Sequence, residues 1–345
     1  MAHELEINEN GTANMFSAGG MVPWHGLGTV IEEEAVKSAE ALTLSGLDWT
    51  VEKVPVAQLI GEDEETGEQI WDEMPGAYSI QRSSDLKSVS NGTVGERYVP
   101  LNNVDAFQFG DDLLDDSGAH WITAGSLKGG STVWMMAQLP EAIYINGMED
   151  EAIQPYIMVS NSHDGSKAVE ATVTPIRVVC NNTFTAALSG AKRTFKIRHT
   201  KSMSGKINEA KRTLGITHAY MAELQALGND LVNQSFSNAE FDAFLETLIP
   251  TVELERDLVA SEKQKSIALT KALNKQEKIK QIRANKPDLQ NVKNTKWGAL
   301  QAVIDFNDHH IEGRGDKLAE KRMSRILMPL TANIGHKALN ILTTV

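Results

Sequence analysis

Two neighbouring runs hold residue types that can do chemistry: Asn161-Ser162-His163-Asp164-Gly165-Ser166 and, a little further on, Cys180-Asn181-Asn182. A cysteine, a histidine and an asparagine are the parts of an activated thiolate, in which the imidazole takes the thiol proton. The competing reading is conformational. His163-Asp164-Gly165 ahead of a strand is turn chemistry, with Ser162 or Asp164 bonding nearby backbone. Cys180 closes the apolar run RVVC and reads as a small buried hydrophobe. The turn is the favoured reading, so no catalytic residue is assigned, and an enzyme built on His163 and Cys180 is kept as an alternative.

Other reactive patterns are missing. The chain lacks GxxxxGK[ST], a GxGxxG opening a βαβ unit, HExxH and GxSxG. SAGG and AGSLKGG are glycine-rich but do not join a strand to a helix N-terminus, and they read as turns. Cys180 is the only cysteine, which excludes an internal disulfide framework and a cysteine-cluster zinc site. His25, between Trp24 and Gly26, reads as a packed ring. No metal and no cofactor are expected.

The densest basic run is AKRTFKIRHTKSMSGKINEAKR, where Lys192, Arg193, Lys196, Arg198, His199, Lys201, Lys206, Lys211 and Arg212 face only Glu209. Such groups hold a polyanion backbone through phosphate contacts and counterion release. Alternation along TFKIRHT sets Lys196 and Arg198 on one strand face. With Arg177, the residues Lys192, Arg193, Lys196, Arg198, Lys201 and Lys206 form the candidate nucleic-acid contacts. A second basic stretch, 263–296, holds ten Lys and Arg and reads as the solvated face of a long helix.

Charge is divided unevenly along the chain. Residues 1–150 carry 26 Asp and Glu against 6 Lys and Arg, a balance of −20, and residues 151–345 carry 20 against 27, a balance of +7. The overall charge of −13 therefore hides a basic half suited to attracting a polyanion. With 41% hydrophobic residues the chain can bury a core, and it has no apolar run of the ~18–20 residues that span a bilayer. Neither a basic leader nor an apolar one opens it, so a cytoplasmic location without membrane contact is expected.

These residues need elements to position them. The pattern predicts an α+β protein: an antiparallel, hairpin-rich N-terminal and central part with packed helices, followed by an α-helical C-terminal domain. Residues 1–30 form an ordered arm, 31–200 an α+β domain and 201–345 a helical domain. In the arm, MFSAGGMVPWHGLGTVI cannot bury its bulky residues on a helix of its own, so it lies along the body or along a neighbouring subunit. Met21, Pro23, Trp24 and Leu27 are then the oligomer contacts. A helix is predicted near 37–46, a strand at WTVEKVPV, a hairpin from AYSIQRSS and KSVSNGT, and a helix near 104–116. HWITAGSL and STVWMMAQLP flank a KGG turn as a second hairpin. Strands follow near 153–160 and 167–179, then a short helical piece at CNNTFTAALSG and a last strand at TFKIRHT. Helices are predicted at 203–233, 237–249 capped by Ser237, 256–284, 294–309, 316–328 and 332–343.

PWHGLG, AGSLKGG, NSHDGS, TPIRVVCNNT and TKWGALQAVIDFNDHH, in that order along most of the chain, resemble a phage/plasmid-like family of unknown function. That resemblance implies a mobile-element context in a bacterial host. The layout of hairpins, a crossing helix and a basic strand–helix junction is similar to that of phage single-strand annealing recombinases. The expected function is non-enzymatic, homo-oligomeric binding or annealing of single-stranded DNA in recombination. The alternative is a phage assembly protein that oligomerises through the arm and the helical domain.

Overall fold

The computed structural model describes residues 14–18, 28–31, 37–89, 92–166, 169–177, 182–183, 194–196, 203–251, 261–310 and 334–344. Its strands are β1 (Met15–Ser17), β2 (Thr29–Val30), β3 (Val51–Glu62), β4 (Gln69–Arg82), β5 (His120–Leu127), β6 (Thr132–Gln138), β7 (Ile143–Tyr144), β8 (Ala152–Gln154), β9 (Tyr156–Ser162), β10 (Glu170–Val173), β11 (Ile176–Arg177), β12 (Asn182–Thr183) and β13 (Thr194–Lys196). Its helices are α1 (Ser38–Leu44), α2 (Asn103–Ser117), α3 (Met203–Val232), α4 (Asn238–Leu248), α5 (Glu262–Asn285), α6 (Lys296–His309) and α7 (Ile334–Thr344). The protein is α+β, with its sheets in the N-terminal and central parts and its helices concentrated toward the C-terminus. No described helix is long and apolar enough to cross a membrane. Two compact units divide the chain: residues 1–140, 157–172 and 194–215 form the first, and 141–156, 173–193 and 216–345 the second.

The first unit is built on a seven-stranded sheet of order β13-β10-β9-β6-β5-β1-β2. Its centre is the β5–β6 hairpin, buried along nearly its whole length, which is why HWITAGSL and TVWMMAQ read as near-continuous apolar runs. Between them Lys128, Gly129 and Gly130 all take positive φ, the conformation that the KGG turn needs. Gly125 lets β1 lie close, because a Cβ there would meet Trp134 at 2.8 Å and Met15 at 3.2 Å. Asp111 on α2 ties three elements together. It accepts from the Ser38 backbone and hydroxyl at 2.7 Å each and from the Trp121 indole at 3.1 Å.

Also in this unit, β3 and β4 form a two-stranded sheet, to which Ser88 and Val94 add single bridges at the base of β4 among the described residues. Val51 and Ile80 at its base are buried, whereas from Ala57 to Gly76 every residue but Asp63 is exposed.

The second unit joins a four-stranded sheet, β12-β11-β8-β7, to helices. α6 is its axis, buried from Lys296 through Asp308, and Trp297 donates its indole N–H to the buried Glu151 carboxylate at 2.8 Å. Ser237 caps α4 and Ser261 caps α5, each in a capping box closed by Glu240 or Gln264. Each cap contributes about 1 kcal/mol. Arg283 is buried with every direction of its fork in use. Nε donates to the Lys293 carbonyl (2.6 Å), Nη2 to the Phe236 carbonyl (2.6 Å) and Nη1 to Asn238 (3.1 Å), while the plane lies over Phe241.

Three local expectations are corrected. The predicted strands near 153–160 and 167–179 are each broken in two, β8/β9 and β11/β10, with Pro155 and Pro175 at the breaks, and the pieces enter different sheets. Proline has no N–H for a ladder, so it ends one pairing and lets the chain start another. Asn182 and Thr183, predicted helical, are β12 and pair with β11. The hairpin predicted from AYSIQRSS and KSVSNGT forms only in part, through the bridges Gln81–Ser88 and Tyr78–Val94 and the backbone bonds from Arg82 to Lys87 and from Val89 to Ile80, while β4 makes its continuous ladder with β3. The predicted helix at 316–328 lies outside the described residues.

Candidate functional site

The NSHDGS run leaves β9 at Ser162 and turns at once. Its backbone is anchored to the neighbouring hairpin by the His163 N–H, which donates to the Ser131 carbonyl at 2.8 Å. The imidazole is fully buried, with Trp49 tilted against it at 5.2 Å between ring centres. Its Nε2 lies 2.9 Å from Asn103 Oδ1. The Asn103 amide nitrogen donates in turn to the Leu47 carbonyl at 2.9 Å, which fixes the amide orientation. Asn103 therefore presents an acceptor, His163 donates from Nε2, and Nδ1 holds the lone pair. Nδ1 has no hydrogen-bond partner among the described residues. Burial pushes His163 down to about 4, against a smaller upward pull from Asp164.

Asp164 organises the rest of the turn. Its Oδ1 accepts from Ser162 Oγ at 2.5 Å and from the Ser166 N–H at 2.9 Å, and the two serine hydroxyls are 3.0 Å apart. Partial burial raises the Asp164 carboxyl, but the bonds from Ser162 and Ser166 and the charge of Lys128 outweigh it, so the group lies below the usual carboxylate range. Gly165 has φ +73, and Tyr98 packs beside it while donating its hydroxyl to the Ser162 carbonyl at 3.3 Å. The arrangement is a hydrogen-bonding hub. The His163 backbone ties the turn to Ser131 at the β5–β6 hairpin and its neutral ring ties it to Asn103 at the start of α2, beside a second layer of hydroxyls and a carboxylate.

The sequence pointed to His163 but not to Trp49, Asn103 or Ser131, which surround it. Those partners come from other elements, and no local spacing marks them. Cys180, the other half of the thiolate alternative, lies outside the described residues. Among the described residues no group of three or more His, Cys, Asp or Glu is arranged to hold a metal ion.

The basic run begins at the outer strand of the seven-stranded sheet. β13 pairs antiparallel with β10, setting Lys196 opposite Glu170, and Thr194 bonds Thr172 across the ladder at 3.1 Å. Lys196 is exposed. On α3, Arg212 donates through Nη2 to the Lys196 carbonyl at 2.9 Å and pairs with Glu209 at 2.5 Å, while Lys211 beside it is exposed. The Glu209 hydrogen bond raises Arg212 further above its ordinary range. Of the other predicted contacts, Arg177 lies on β11 and Lys206 on α3, with only their backbones described. Lys192, Arg193, Arg198 and Lys201 lie outside the described residues, as do the arm residues Met21, Pro23, Trp24 and Leu27.

In comparison with known proteins, the profile of the family described as Domain of unknown function (DUF932) matches residues 91–327. That span holds both the His163 turn and the basic run. No curated protein and no solved structure matches the chain. With well over half of its length matched, the chain belongs to the DUF932 family.

Proposed function

We propose that this DUF932 chain is a phage- or plasmid-encoded protein that binds and anneals single-stranded DNA without enzymatic chemistry, as a homo-oligomer in the bacterial cytoplasm. What supports the reading is the hydrogen bond from Arg212 to the Lys196 carbonyl. It joins the two halves of the basic run, strand and helix, and Lys196 on the one and Lys211 on the other are both exposed. Ammonium groups on such a surface neutralise phosphates and release condensed cations, which gives affinity without base selectivity.

The test is fluorescence anisotropy of a labelled single-stranded oligonucleotide over a salt series, beside duplex DNA. Binding is expected to prefer single strands and to weaken steeply with salt. Replacing Lys196 and Lys211 by Gln removes two phosphate contacts and is expected to flatten the slope of log K against log salt by ~1.4. No binding at low salt, or an unchanged slope in the double variant, overturns the reading.

A further inference from the structure

The β3–β4 hairpin extends beyond what its own unit covers. An isolated two-stranded ribbon is marginal in water, and exposed aromatic and aliphatic side chains on one are surface waiting for a cover. Leu59 and Trp71 are 51% and 57% exposed and stand directly opposite each other in the ladder. Ile60, at a register irregularity next to Leu59, is 58% exposed. Ile70 and Met74 share the other face with Asp72 by the two-residue period of the strand, and both are exposed.

The charge of the same segment says what kind of cover it takes. Residues 57–76 hold seven carboxylates, Glu62, Asp63, Glu64, Glu65, Glu68, Asp72 and Glu73, and no Lys or Arg. A polyanion is repelled by such an arm, and a cationic surface with some apolar area is attracted.

The chain itself carries a surface of that description. α5 holds seven Lys and Arg against Glu262 and Glu277. Lys263, Ile267, Lys271 and Lys275 follow one another at four-residue spacing, which sets them in a single stripe. All four are exposed, Ile267 at 47%, and Leu273 on the flank is 48% exposed. Other lysines of the helix are occupied, Lys265 by Glu262 and Lys280 by Asp242, whereas Lys263, Lys271 and Lys275 have no ion pair among the described residues. The dimensions agree. At 1.5 Å per residue the stripe from Lys263 to Lys275 is about 18 Å long, and at roughly 3.3 Å per residue the exposed parts of the two hairpin strands, 57–62 and 69–76, are about 20 and about 26 Å.

We propose that the β3–β4 hairpin is an intermolecular docking arm, and that its occupant is the lysine stripe of α5 in a second copy of this chain. Trp71 and Leu59 supply the apolar anchor, with Ile267 opposite, and the arm carboxylates pair with Lys263, Lys271 and Lys275. The contact is independent of nucleic-acid binding and is tested without it.

The experiment is sedimentation velocity of the full-length chain, freed of nucleic acid, over a concentration series. Two double variants accompany it, Leu59→Ser with Trp71→Ser on the arm and Lys271→Glu with Lys275→Glu on the helix. All four positions are exposed, and circular dichroism checks that each variant keeps its fold. Wild type is expected to self-associate, more weakly at high salt, and each variant to associate about tenfold less tightly or worse. The two variants mixed are expected to form a complex that neither forms alone, since each retains the surface the other has lost. A wild type that stays monomeric, variants that assemble like wild type, or a mixture that gives no complex overturns the proposal. So does an arm that binds an added basic protein while the chain remains monomeric.

Discussion

A histidine ring sealed from water must enter the folded state uncharged, and that makes the stability of this protein depend on pH. His163 titrates at about 4 in the folded chain because burial disfavours the imidazolium; unfolded, it titrates near the ordinary ~6.5. Above that value both states are neutral and the group costs nothing. As pH falls, the unfolded chain takes the proton first, so stability present above pH ~6.5 is withdrawn progressively toward pH 4, by up to about 3 kcal/mol. His163→Gln keeps a donor toward Asn103 but cannot titrate. Urea unfolding at pH 7.5 and 4.5 is expected to show a smaller acid loss in the variant than in wild type, and equal losses would refute the assignment. The role of His163 as a turn residue was legible, because Ser-His-Asp-Gly-Ser is local turn chemistry. Its partners were not: Asn103 is 60 positions away, and nothing in LNNVDAF marks that amide rather than its neighbour Asn102 as the buried one.

Elements with strong local periodicity or explicit caps are where sequence and structure agree best. Ser237 begins α4 through a capping box spelled Ser-Asn-Ala-Glu, and the glycines after Lys128 close the β5–β6 hairpin. α5 starts later than its apolar period suggests, at the Ser261–Gln264 box, since satisfying orphan N–H groups fixes the first turn better than hydropathy does. Where short strands change sheets, as at Pro155 and Pro175, periodicity is blind: each piece is too short to show a period, and its partner is distant in sequence. The close approach at the start of α6 was equally hidden. A Cβ on Gly298 would meet the Val292 carbonyl oxygen at 2.1 Å, a clash with backbone that a rotamer change cannot relieve. Gly298→Ala is expected to destabilise the protein by about 1–3 kcal/mol, despite the better helix propensity of alanine. The check is a lower urea midpoint at unchanged m-value.

At the scale of the whole chain, the division of charge was visible in the residue counts, and the arm gives it a physical form. What the counts could not reveal is that part of the acidic excess sits on a two-stranded ribbon whose far part, from Ala57 to Gly76, has no further strand beside it among the described residues. Two strand edges without a ladder partner among the described residues, on a ribbon whose faces carry exposed Leu59, Ile60, Ile70 and Trp71, are a template for further strands. The dense carboxylates of the arm keep like arms apart at neutral pH. Replacing Glu62, Glu64, Glu65 and Glu68 by Gln removes that spacing, and the ribbons are then free to zip into one another. Turbidity is therefore expected to rise in that variant, and a chain that also carries Ile60→Lys and Trp71→Lys, whose arms are charged again, is expected to remain clear. The carboxylates that steer the arm toward its proper partner are thus also what holds the protein in solution, and loss of their charge is enough to turn a docking device into the seed of a precipitate.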